Sequence, residues 1–141
     1  MALEEARAAA ARGEVPIGAV VVRDGRVLAR AGNEREARAD PTAHAEVLAL
    51  RAAALEVGGW RLDGCTLVVT LEPCPMCAGA LVAARIQRVV FGAPNTDNGA
   101  CGTLYNLCAD PRLNHEAEVV PGVGADAASA LLDAFFTARR T

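Results

Sequence analysis

The stretch CTLVVTLEPCPMCAGALVAARIQRVVFG, residues 65–92, decides the fold. Its opening run CTLVVT is apolar and of strand length, Leu71-Glu72-Pro73 breaks it, and Cys74 to Ala84 is an Ala- and Leu-rich helical segment. Ile86 to Gly92 then reads as a second strand. Strand, helix and strand in immediate succession make parallel neighbours joined by a right-handed crossover. Upstream, IGAVVVR (17–23) and RVLARA (26–31) flank Asp24-Gly25, a strong two-residue hairpin signal, so these two strands are antiparallel. A sheet holding both units is mixed.

Working outward, residues 2–12 have high helix propensity and end at Gly13. Asp40-Pro41-Thr42 supplies capping residues and a first-turn proline, which predicts a second helix starting near Pro41 and stopping at Gly58-Gly59. A loop over 94–102, a short helix near 103–109, a strand near 117–121 and a last helix over 125–140 complete the chain. Its 141 residues suit a single domain spanning 1–141.

Composition narrows the function classes. With 52% hydrophobic residues, disorder is excluded. The 14 cations, all arginine, face 17 acids for a formal charge of −3, so a nucleic-acid partner would meet local arginines rather than a basic tail. No apolar stretch approaches the roughly 18 residues of a membrane span, and Glu4, Glu5 and Arg7 interrupt any signal-peptide pattern. The expectation is a cytoplasmic protein with no membrane partner. Five cysteines, an odd number in a chain with an ample core, favour metal binding or buried thiols over a disulfide framework.

Two motifs carry chemistry: His44-Ala45-Glu46 and Pro73-Cys74-Pro75-Met76-Cys77, each at a helix start. Cys74 and Cys77 are three apart and share one side of a turn, and the positive end of the helix dipole favours thiolate. With His44 they give three ligands suited to Zn²⁺, one ion per chain, leaving a fourth position open to water as in catalytic sites. Glu46, two residues beyond His44, is placed to shuttle protons. The order H-x-E then P-C-x-x-C is the signature of zinc-dependent base deaminases. Three rivals stand beside this reading. CxxC can be redox-active; Cys65, Cys101 or Cys108 could close a structural zinc site; and a zinc-stabilised binding subunit could use the same fold without catalysis. His115 reads as a packing or capping residue, and Cys65, Cys101 and Cys108 as core thiols.

Along nearly its whole length the chain resembles the bacterial tRNA adenosine deaminases of the cytidine deaminase superfamily. The resembling stretches include EVPIGAVVV (14–22), DPTAHAEVLALR (40–51), RLDGCTLVVTLEPCPMCAGAL (61–81), GACGTLYNL (99–107) and FFTARR (135–140). The resemblance implies an α/β fold, a three-layer α/β/α sandwich around a five-stranded mixed sheet, and a homodimer. It implies conversion of adenosine to inosine at the wobble position of a tRNA anticodon arm, with arginine tRNA as the partner. Position by position, His44, Cys74 and Cys77 match the zinc ligands and Glu46 the proton shuttle. Asn33 matches a contact to the flipped base, with a loop turn after Gly32 as its equal alternative. Val15, Pro16, Leu71 and Pro73 match the walls of the base pocket, and Phe135, Phe136, Arg139 and Arg140 the RNA-contacting end. Asn95 departs from the aspartate usual there, and Asp97 from a basic residue. Asn95 is expected to weaken discrimination between ribose and deoxyribose. A deaminase of a free base or nucleoside, such as guanine or cytosine, is the alternative enzyme.

Overall fold

The computed structural model describes residues 1–139. The elements are α1 (Ala2–Ala11), β1 (Gly18–Arg23), β2 (Arg26–Gly32), α2 (Ala45–Val57), β3 (Thr66–Leu71), α3 (Pro75–Ala83), β4 (Arg88–Ala93), a 3-10 turn (Leu107–Ala109), β5 (Glu118–Val120) and α4 (Ala125–Arg139). The strands form one sheet in the order β2-β1-β3-β4-β5. β1 is antiparallel to both β2 and β3, while β3, β4 and β5 run parallel. The mixed sheet expected from the sequence is therefore present, with α1 and α4 on one face and α2 and α3 on the other.

The two faces are built differently. Toward α2 and α3 the strands present Ala19, Val21, Leu67, Val69, Val89 and Phe91, all buried in one apolar cluster with Leu50, Leu81 and Ile86. Toward α1 the sheet presents Gly18: a Cβ there would lie 2.1 Å from the Ala2 carbonyl oxygen and 2.6 Å from the Ala6 nitrogen. The absent side chain lets α1 rest directly on β1. At the hairpin, Asp24 and Gly25 both take positive φ (52° and 74°), the turn that matches the strands' twist.

Two expectations need correction. The second helix begins at Ala45 with His44 as its cap, four residues later than a start at Pro41. The Asp40 carboxylate accepts from Thr42 N (2.8 Å) and Thr42 Oγ1 (2.7 Å), closing a local turn that competes with helix initiation. Residues 103–106 are not helical, because Cys101 bridges Asn106 and only Leu107–Ala109 coils. Among the described residues no helix is long and apolar enough to cross a membrane.

Strand directions decide where the site falls. Gly18 pairs with Gly32, Ala19 with Val69, and Leu71 with Ala93. The start of β1 and the ends of β2, β3 and β4 therefore meet at one end of the sheet. The segments carrying Val15, Asn33, Pro73 and Asn95 emerge together there.

Candidate active site

The starts of α2 and α3 face each other at this end of the sheet. His44 caps α2 in extended conformation, Cys74 caps α3 ahead of Pro75, and Cys77 lies one turn further, fully buried. The His44 Nδ1 atom is 3.7 Å from Cys74 Sγ and 3.5 Å from Cys77 Sγ, and all three donor atoms lie within 4.8 Å of one another. Donors 2.0 to 2.3 Å from one tetrahedral centre would be about 3.6 Å apart, so this trio already has the spacing of three corners around one divalent cation.

The three donors are linked by their mutual hydrogen bonds. A hydrogen bond from Cys77 holds Cys74 as a thiolate with a pKa of about 4, aided by His44. The same bond, together with burial, pushes the Cys77 thiol up. The hydrogen bond to Cys74 raises His44 above the usual imidazole value. The sulfur pair thus shares one proton, which would leave when a cation binds.

Glu46 stands beside them, only 4% exposed in the first turn of α2. Burial raises its carboxyl to about pH 7, and its side chain is hydrogen-bonded to Cys77. A buried carboxyl with its pKa near neutrality can both take and give a proton.

The remaining thiols do not join. Cys101 Sγ and Cys108 Sγ are 3.8 Å apart and buried, and Cys65 Sγ reaches the Asp63 carbonyl oxygen at 3.8 Å. Among the described residues the metal-capable cluster has three members, so no fourth sulfur closes it. His115 Nε2 lies 2.7 Å from the Ile86 carbonyl oxygen, outside the metal-capable cluster.

Around this centre the structure separates the sequence-expected substrate residues into groups. Leu71 and Pro73 lead directly into Cys74, and Pro16 precedes β1, with Pro16 and Pro73 fully buried. Asn33 is buried just past the end of β2, and its Oδ1 accepts from Arg35 N (2.9 Å), the loop turn of the alternative reading. Asn95 behaves alike: its Oδ1 accepts from Asp97 N (3.3 Å) and Asn98 N (3.0 Å). Val15 shares a cleft of about 430 Å³ with Phe135, Phe136, Arg139 and Arg35. Arg139 stacks 3.7 Å above the Phe135 ring and donates to the Gly13 carbonyl (3.0 Å), fixing this end of α4 beside the cleft. Arg140 lies outside the described residues.

Two residues escaped the sequence reading. Glu14 and Glu72, each 2% exposed, are buried carboxylates whose partners are almost all loop backbone amides. Glu14 accepts from Glu36 N (3.0 Å) and Ala37 N (2.8 Å). Glu72 accepts from Asn95 N (3.1 Å), Cys101 N (3.0 Å), Thr103 N (3.0 Å) and the Thr103 hydroxyl. A signal did exist for Glu72, the lone charge between Cys65 and Ala84.

Comparison with known proteins agrees with this geometry. The family model of MafB19-like deaminases matches residues 1–140. The tRNA-specific adenosine deaminase of Bacillus subtilis is 53% identical over 96% of this chain and 84% of its own length. A solved tRNA:A34 deaminase, from work on A-to-I editing at the wobble position of transfer RNA, superposes with a TM-score of 0.89 at 45% identity, covering 93% of this chain and 95% of that one. A guanine deaminase from Nitrosomonas europaea superposes at 0.83 with 28% identity, over 96% and 81%. Fold, three-donor cluster and sequence agree: the chain belongs to the tRNA-specific adenosine deaminases, hydrolases within the MafB19-like deaminase family.

Proposed function

We propose that this enzyme hydrolyses adenosine to inosine at the wobble position, adenosine 34, of a tRNA anticodon arm, with arginine tRNA as the substrate, using one Zn²⁺ per chain. The observation that carries the reading is the meeting of His44, Cys74 and Cys77 with the buried carboxyl of Glu46 at one end of the sheet. Two thiolates and an imidazole at tetrahedral spacing suit zinc. When bound, the ion supplies Lewis acidity that makes water nucleophilic near neutral pH.

The chain's own residues do the rest. The target base leaves its stack and enters a pocket at this end of the sheet, where Val15, Pro16, Leu71 and Pro73 keep water out. The Asn33 amide donates to the base edge. Glu46 takes one proton from the attacking water and gives it to the ring nitrogen, where it stays in inosine, then takes the second from the new C6 hydroxyl and gives it to the amine, which departs as ammonia. The balance is adenosine plus water to inosine plus ammonia. Outside the pocket, Phe135, Phe136 and Arg139 offer rings and a guanidinium to the splayed anticodon nucleotides, with Arg140 continuing this end in sequence.

The homodimer places a second copy over the outer face of α2 and α3. Leu55 and Trp60 are 85% and 61% exposed there, beside an apolar cleft of about 320 Å³ lined by Val47, Leu50, Ala80 and Ala83. These exposed apolar side chains support that placement of the second copy.

Incubation with an arginine tRNA anticodon hairpin and, separately, with free adenosine, guanine and cytosine tests the reading. It expects ammonia and inosine from the hairpin alone. Ammonia from free guanine instead would move the enzyme to the class of its guanine-deaminating structural neighbour.

A further inference from the structure

Glu72 is buried, carries the lone charge of a long apolar segment, and takes no part in the chemistry described above. Its surroundings show what it does. Its backbone N–H donates to the Ala93 carbonyl (2.9 Å), and the next residue, Pro73, accepts from Ala100 N (2.9 Å). Its carboxylate gathers the amides of Asn95, Cys101 and Thr103 and the Thr103 hydroxyl. Four donors from three places in the 95–103 loop thus converge on one side chain. The packing around it is close: a Cβ on Gly99 would fall 2.5 Å from Glu72 Oε2.

The 95–103 loop contains no helix or strand; Thr96, Asp97 and Asn98 are exposed, while Ala100 and Cys101 are buried in the apolar cluster. Two residues beyond Glu72 stands Cys74, a corner of the metal cluster. One short segment therefore grips the rim of the pocket with its carboxylate and presents the metal ligand with its next turn.

We propose that Glu72 is a positioning residue for the deamination: its carboxylate fixes the 95–103 loop, and Asn95 with it, at a set distance from the Cys74 turn, so that the nucleotide held by the loop meets the metal centre in register. This rests on the functional reading above. A carboxylate suits the task because ionised acceptors bind several N–H groups strongly, whereas an amide would turn two of its own hydrogens toward those donors.

The test is Glu72→Gln in the full-length, zinc-loaded enzyme. KM for the anticodon hairpin should rise at least ten-fold while kcat changes less than three-fold and zinc stays at one per chain. Amide exchange at Asn95, Cys101 and Thr103 should quicken at least ten-fold, with the β1 amides unchanged. Thr103→Val, which removes one donor only, should move KM the same way by about three-fold and carries the test if Glu72→Gln does not fold. An unchanged KM, or zinc loss with a collapse of kcat, would overturn the assignment. If the wild-type enzyme leaves the hairpin untouched, the functional reading fails on its own. The exchange rates then decide the loop's attachment, and wild-type protection at the three amides in Glu72→Gln would overturn it.

Discussion

The metal centre and the pocket rim are held by opposite means. At the centre, His44, Cys74 and Cys77 stand on the first turns of two helices, and the helices are fixed by a close-packed apolar cluster. At the rim, the 34–40 and 95–103 loops contain no helix or strand, and each is tied by a buried carboxylate, Glu14 or Glu72. The difference teaches that the metal-capable donors are placed by secondary structure, where tolerance is small, while the neighbouring loops are placed by polar sutures. A suture can be altered one hydrogen bond at a time.

The largest expected effect tests what centre and rim share, the end of the sheet on which α1 rests. Gly18→Ala drives a methyl into the Ala2 carbonyl. It should cost about 2 to 3 kcal/mol, an overpacking penalty, and lower Tm by on the order of 8 °C in thermal unfolding. A Tm within 1 °C of wild type would show that α1 is free to move away, and would weaken the picture of a fixed scaffold.

An intermediate effect sharpens the rim. The Asn95 oxygen is already engaged by two backbone N–H groups. Asn95→Asp would keep both bonds on one oxygen and free the other to accept from a ribose hydroxyl. The preference for an RNA hairpin over its DNA counterpart should rise about ten-fold, the worth of one charge-assisted hydrogen bond. An unchanged preference would remove Asn95 from sugar recognition.

The smallest effect concerns the turn that leads into His44. Hydrogen bonds from Thr42 hold the Asp40 carboxyl below its usual value. A depressed carboxyl contributes stability above its unfolded pKa and loses it as pH falls through the folded one. Between pH 5 and 3, wild type should therefore lose slightly more stability than Asp40→Ala in denaturant melts. Identical acid sensitivity would leave the turn without an electrostatic role.

The same contrast explains what the sequence disclosed. The hairpin at Asp24-Gly25 and the strand-helix-strand unit were legible because each rests on local periodicity and spacing, and the clustering of His44 with Cys74 and Cys77 because each stands in a short motif at a helix start. The start of α2 was not, since Asp40 and Thr42 satisfy one another rather than the helix, a choice made by side-chain geometry that composition does not encode. Glu14 was hidden, and Glu72 hinted at only by its lone charge, for a different reason: their partners, loop backbone amides and the Thr103 hydroxyl, lie 22 to 31 residues away in sequence, which no local pattern announces. Val15 and the end of α4 came together through tertiary packing alone.

The central claim assigns three residues to holding the metal and one to moving protons, and a paired measurement tests it. Zinc content and ammonia release should be determined for Glu46→Ala and Cys74→Ala beside wild type. Glu46→Ala should keep about one zinc per chain and the fold yet lose deamination by at least 10²-fold, the scale of lost general acid–base catalysis, whereas Cys74→Ala should lose both metal and activity. Loss of zinc from Glu46→Ala, or near-normal turnover by it, would contradict the account.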